Sequence, residues 1–593
     1  MDFKLGAKEE KVFYSVIGNM RDLKTLNNTI PKITASGYLA RKKEENRNII
    51  RELQSDIDTH SSRKEFDLYA KQTYLDNIIR GGYPITFKSN TSSTVFYLYS
   101  RKHGDLERDY NKFQLQPVYL SQGNGNYRDM NQNQRSDIWF NPDIADESII
   151  NFLSLIQTDG FNPLVIKGAN FTLTDEGQFR KSLKNIAEEK YTEKIMDYLK
   201  KPFTPGEIIF FIEENKIRLK VSYDEFLNIL LGSSLKHQEA EHGEGFWTDH
   251  WTYNLDLLEN FLGIYPEKLK EIAFEKRVFT FYDNTEIVKP RKEKYILKDE
   301  LIKQLHSIAP DGSKRELIRK RSSQPHLVRT QYGLGEIYQT TLFNKLLCLL
   351  ANKLASLDPF GIGIEMEANK PNWFDALNGL PALFGSSLCE TFELKRLILS
   401  LRYILDNYEQ DKIKVTEEIY KFLNNLNNLI KDCRNASSGD RDYKYWNDSY
   451  ALKEDYRLKT KLGLSGNELE VEVSDLSAIF ENALEKVSSG IAKALDKEKN
   501  IFPSYFFYKV TEHQVIKDNF IRPIKFKQVK LPLFLEGQMH ALRLSENIQE
   551  AALLHKATRK SALFDKELKM YKVTAPLKSM PEEIGRCRVF AGV

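Results

Sequence analysis

The chain is poor in cysteine. It has four, at Cys348, Cys389, Cys433 and Cys587, and none of them forms a CxxC pair. That argues against a disulfide framework and against a paired-cysteine zinc site, and it suits a reducing compartment. Cys348 and Cys389 fall in apolar helical runs and read as buried small hydrophobes. Long apolar runs are missing too: no stretch reaches membrane-spanning length without charges. The first residues, Met1 to Glu10, lack the apolar core of a secretory signal. Charge of one sign is also scarce. Lys plus Arg number 87 and Asp plus Glu 83, a net of +4, which argues against a dedicated nucleic-acid binder. The densest basic run, Lys314–Arg321, is better explained as a solvated helix face. The expectation is a cytoplasmic protein with no membrane or nucleic-acid partner.

What remains can build a large core: 41% of the 593 residues are hydrophobic. Helical spacing predicts helices at 38–60, 63–80, 146–157, 178–200, 222–233, 254–262, 342–357, 388–407, 415–431 and 476–495. A strand is predicted at 11–19, and short strands in 501–545, where Pro523 and Pro532 interrupt alternating apolar residues. Residues 100–143 form a long polar loop region. The expected fold class is mainly α: an (α/α)6 toroid, with helical hairpins as its wall and the polar, aromatic-bearing loops at one end as its site.

Four clusters share a composition of forked hydrogen-bonding groups, charges and aromatic rings. They are 100–110, 121–132 (with Arg128, Asp129 and Gln132), 244–254 (with Trp247, Asp249, His250 and Trp251) and 365–387. A sugar asks for that mixture. Its hydroxyls need Asp, Asn, Gln and Arg, and its C–H faces need aromatic rings. Each cluster also has a plain structural use. Gly123–Asn126 suits a turn, Trp247 and Trp251 suit a core, and His250 suits a satisfied core histidine. His103 and His250 have no second histidine at ligand spacing, so no metal is expected. The fourth cluster is dense in Gly and Pro, hence irregular. It holds Asp375 two residues after Trp373 and three before Asn378. A carboxyl desolvated beside an indole suits a proton donor; Asp375 would equally cap a helix.

Residues Asn372-Trp373-Phe374-Asp375-Ala376-Leu377-Asn378 are similar to the Asp-Trp-Asn-Asp-x-Leu-Asn motif of cellobiose phosphorylases. Arg128-Asp129 with Gln132 resembles the Arg-Asp-x-x-Gln-Asp motif that holds the non-reducing sugar. Segments 74–86, 101–137, 244–256, 322–345 and 357–396 extend the likeness. The chain thus resembles the large bacterial inverting glycoside phosphorylases, most of all the β-1,3-oligoglucan phosphorylase group. It departs at Asn372 and Phe374, where the motif has Asp and Asn, and at Asn133, where it has Asp.

The resemblance implies inverting phosphorolysis of a β-glucosidic bond, with Asp375 as general acid and phosphate as nucleophile. Trp247, Asp249, His250, Trp251, Trp373 and Asn378 would line sugar subsites beside Arg128, Asp129 and Gln132. Arg135 and Arg329 are phosphate candidates by residue type. No cofactor is implied beyond phosphate as co-substrate; the partners are an oligosaccharide and phosphate, with a homodimer as the expected assembly. The implied layout is a remnant sandwich strand at 1–20, a linker helix region at 21–62, the catalytic barrel at 63–500 and a mixed β and irregular excursion at 501–593. The chain would then be an interior piece of a longer enzyme, with part of the phosphate site on a later segment. Two other readings stand beside this one. One is an inverting hydrolase, with Glu365, Glu367 or Asp249 as its second carboxylate; the other is an inactive glucan-binding fragment.

Overall fold

In the computed structural model the described residues are 3–18, 20, 22–88, 93–98, 118, 120–243, 251–298, 300–368, 375–434 and 441–584, the side chain of Asp375 excepted. They divide into two compact units. One holds the described residues up to Asn124 together with Gly168–Lys236; the other holds Gly125–Lys167 and the described residues from His237 on.

The first unit has its own apolar core. Phe179, Leu183 and Ile186 of the Glu176–Ile186 helix pack with Ile208, Ile209 and Ile212 of the Pro205–Glu214 helix. Phe226, Leu227 and Leu230 of the Tyr223–Gly232 helix close it. The starts of these helices are written locally. Asp175 caps the first and Ser222 the third. Thr204 and Glu207 form a reciprocal capping box on the second, with Pro205 at its first position. Residues 3–18 form no strand, against the one expected at 11–19, and Val12, Phe13, Tyr14, Val16 and Ile17 are exposed. A strand is stable only when paired, and no described strand pairs with this segment.

The second unit is built on an antiparallel six-stranded sheet. Its order is Ile364–Glu365, Ser386–Ser387, Tyr505–Lys517, Phe520–Lys530, Tyr295–Lys298, Leu301–Gln304. The Leu342–Leu354, Leu388–Asp406, Glu417–Arg434, Arg441–Thr460 and Val473–Ala494 helices pack on one another. Phe384, Phe392, Trp446, Phe506, Tyr508 and Phe526 join sheet and helices in one core.

This corrects the expected mainly-α toroid. Among the described residues helix makes up 51% and strand 19%, and a wall of helical hairpins leaves no place for a six-stranded sheet. The two long strands fall where alternation is legible, in 501–545. The other four are two to four residues long, too short to carry any period.

Candidate functional site

Everything in this site belongs to the second unit. Asp358 fixes its frame. Its buried carboxylate accepts from the backbone N–H of Phe360 and Ile362 (both 3.0 Å) and Gly363 (2.6 Å), from Ser386 Oγ (2.7 Å) and from Tyr508 Oη (2.5 Å). Asp358 therefore ties the turn before Ile364 to the strand partner of Glu365, since Glu365 pairs with Ser386. Met366 N donates to Gly385 O at 2.8 Å, so the segment carrying Asp375 leaves and rejoins the sheet at one place.

Glu365 and Glu367 project toward the Arg441–Thr460 helix, whose Trp446, Tyr450, Lys453 and Arg457 recur at helical spacing. Glu365 accepts from Trp446 Nε1 (2.6 Å), Gln304 Nε2 (3.1 Å) and Tyr295 Oη (3.3 Å). Burial pushes its carboxyl up; the Trp446 hydrogen bond pulls it back and the charge of Glu367 adds to the rise, leaving it at about 7. Glu367 is fully engaged. It is ion-paired with Lys294, accepts from Tyr450 Oη at 2.9 Å and meets Arg457 Nη1 at 3.3 Å. Burial pulls the Lys294 ammonium down, and Glu367 works against that fall.

A small cleft of about 10 Å³, room for no more than a water molecule, lies beside Glu365 and is lined also by Asp159, Phe161, Lys353, Glu390 and Lys453. Ser387 caps the Leu388–Asp406 helix and so sets Glu390 in its first turn. Glu390 Oε2 accepts from Lys353 Nζ at 2.9 Å and Trp251 Nε1 at 3.4 Å. Lys353, Lys453 and Arg457 all stand 5.8–5.9 Å from the centre of the Phe161 ring. Burial, together with the Arg457 charge, pulls the Lys453 amine well below its ordinary value.

Asp159, Tyr295, Trp446 and Arg457 also line a cavity of about 850 Å³, with Arg291 and Lys314 on its wall. That volume lies within the range of small-molecule binding sites. Arg291 lies over the rings of Trp446 (5.5 Å) and Tyr450 (4.6 Å). Arg457 keeps Nε and Nη2 without a protein acceptor. The arrangement gathers carboxylates and guanidinium groups around one cavity, with the Tyr295 and Trp446 rings buried behind its wall.

The residues singled out from sequence divide three ways. Trp251 joins this site through Glu390. Arg128 and Asp129 lie on the Tyr127–Gln134 helix, in mutual contact at 3.2 Å, with Asp129 buried. That helix is bound to the Trp251–Ile264 helix through Asn254, which accepts from Asn131 Nδ2 at 2.7 Å and meets Tyr127 Oη at 3.2 Å. Gln132 and Asn378 are exposed. Arg135 is drawn into an ion network instead, 3.3 Å from Asp256, which Arg396 also pairs at 2.6 Å. Arg329 donates to the carbonyls of Ser323 (2.8 Å) and Gly335 (3.4 Å) and so fastens its own loop. Asp375 opens a 3-10 turn over Asp375–Leu377, whose Ala376 and Leu377 are buried with Met366. Its side chain, and Trp247, Asp249, His250 and Trp373, lie outside the described residues. Sequence reasoning missed Glu390, Lys353, Trp446, Lys453 and Arg457; the i, i+4, i+7, i+11 spacing of the 446–457 positions was the available signal.

Among the described residues no helix is long and apolar enough to cross a membrane. No family model matches the chain, and no curated protein matches it.

Proposed function

We propose that this protein cleaves a β-glucosidic bond of a gluco-oligosaccharide, β-1,3-linked or cellobiose-like, by inverting phosphorolysis. Asp375 gives its proton to the glycosidic oxygen as the bond from that oxygen to C1 breaks. A phosphate oxygen forms the new bond to C1 from the opposite face, and the product is α-glucose 1-phosphate. Phosphate arrives already anionic, so one carboxylic acid suffices.

The observation that carries the reading is the seating of the Asp375 turn. Its Ala376 and Leu377 pack with Met366, one residue from Glu365, and Glu365 lies in one small cleft with Glu390, which Trp251 Nε1 meets at 3.4 Å. The adjoining cavity supports it with carboxylates and the Arg291 guanidinium on its wall. Hydrolysis on the same carboxyl groups is the alternative. It requires a second carboxylate to activate water: Glu365, held at about 7, has a value suited to a general base, Glu367 is committed to Lys294, Tyr450 and Arg457, and Asp249 lies outside the described residues.

Incubation with β-1,3-gluco-oligosaccharides or cellobiose, with and without phosphate, separates the readings. Sugar 1-phosphate formed only with phosphate is expected. Free glucose formed equally without phosphate would establish hydrolysis, and binding without turnover would establish a glucan-binding protein.

A further inference from the structure

Away from the cleft, three donors of different chemistry meet where the Leu388–Asp406 and Leu535–Arg543 helices pack. Cys389 is the second residue of the first helix; Glu536 and His540 lie one turn apart on the second. One ligand atom from each, a thiol sulfur, a carboxylate oxygen and an imidazole nitrogen, falls within 4.8 Å of the other two. Glu536 Oε1 and His540 Nε2 are 3.9 Å apart. Donors about 2.0–2.3 Å from a tetrahedral zinc ion stand roughly 3.3–3.6 Å from one another, so small side-chain adjustments complete the geometry. An i, i+4 pair on a helix presents two ligands on one side, as zinc-binding helices do.

The surroundings are built as a metal site's are. His540 Nδ1 is 2.7 Å from Glu393 Oε1, one turn beyond Cys389 on its helix. A carboxylate on one ring nitrogen fixes the imidazole and leaves Nε2 for the ion. Tyr505 Oη donates to Glu536 Oε2, which leaves Oε1 toward His540. Cys389 is buried, whereas Glu536 and His540 are partly exposed, which gives an ion a way in. The ligands come from distant stretches of chain, so no motif announces them.

We propose that Cys389, Glu536 and His540 bind a zinc ion through thiolate, carboxylate and Nε2, with water completing four-coordination. The thiol proton passes to solvent as the ion binds. The ion would clamp the Leu535–Arg543 helix to the turn that carries Glu390.

The test uses the full chain, stripped with a chelator and titrated with Co²⁺. A thiolate-to-cobalt charge-transfer band is expected, saturating stoichiometrically and abolished by Zn²⁺, with a rise in thermal midpoint on adding Zn²⁺. Cys389→Ser and His540→Gln are expected to lose the band while keeping the far-ultraviolet circular dichroism of the parent. Cys348→Ser, at a buried cysteine elsewhere, should retain it. Glu393→Gln, a positioning change, should weaken Co²⁺ binding about 10–100-fold. Absence of the band in the parent chain, or its survival in Cys389→Ser, would overturn the proposal.

Discussion

Glu365 sits under opposing demands: burial favours its neutral form, and three donors favour its anion. Its carboxyl rises from 4.5 to about 7 on folding. Between those values the folded chain holds a proton that the unfolded chain has released, so this group makes stability fall as pH rises. The loss is complete above pH 7 and amounts to roughly 3 kcal/mol. Glu365→Gln should therefore flatten the decline between about pH 4.5 and 7 and leave the variant the more stable at pH 8. Urea unfolding across that range checks it; a parallel decline in both proteins would count against it. Glu367 is held by its partners instead: it is ion-paired with Lys294 and Arg457 and accepts from Tyr450. Glu367→Leu strands the buried Lys294 ammonium and should cost about 3–5 kcal/mol. Adding Lys294→Met should restore most of that in the same unfolding assay. A single variant as stable as the parent would show that the Lys294 pair is not the constraint inferred from its burial.

Among the elements, the Arg441–Thr460 helix shows where sequence reading fails. Its buried residues are Tyr445, Trp446, Ser449, Tyr450, Lys453, Tyr456 and Thr460. A face built from amphipathic rings, hydroxyls and a lysine has no apolar stripe, so the periodicity that exposed the Leu388–Asp406 and Val473–Ala494 helices was silent here. Those two, by contrast, run within three residues of the expected spans. Cys348 and Cys389 are buried as their apolar runs implied. The Val473–Ala494 helix also contains a contact that only glycine permits. A Cβ on Gly490 would stand 2.1 Å from the Gly361 carbonyl oxygen. Gly490→Ala should push this helix off the Asp358–Gly363 turn and cost about 1–3 kcal/mol. Urea unfolding that leaves the midpoint unmoved would refute so close a packing.

At the scale of the molecule, the sequence and the structure agree on a chain able to build large cores, and part over architecture. The resemblance to glycoside phosphorylases suggested a helical toroid; pairing between strands far apart in the chain, such as Phe520 with Ile296, produced a six-stranded sheet instead. Long-range pairing of short strands leaves no mark in local periodicity. The site was half legible. Their mix of aromatic and hydrogen-bonding side chains singled out Trp251 and the stretch from Glu365 to Ser387. The cations facing them stayed hidden, because Lys353, Lys453 and Arg457 gain meaning only when helices from different stretches of chain meet.

The most direct measurement follows ³¹P resonances during incubation of β-gluco-oligosaccharide with phosphate. It is made with the chain and with its Asp375→Asn variant. The account requires α-glucose 1-phosphate to accumulate with the parental side chain and to fall by about 10²–10⁴-fold in rate with asparagine, which cannot donate the proton. No phosphate-dependent product from the parental chain, or equal product from the asparagine variant, would contradict it.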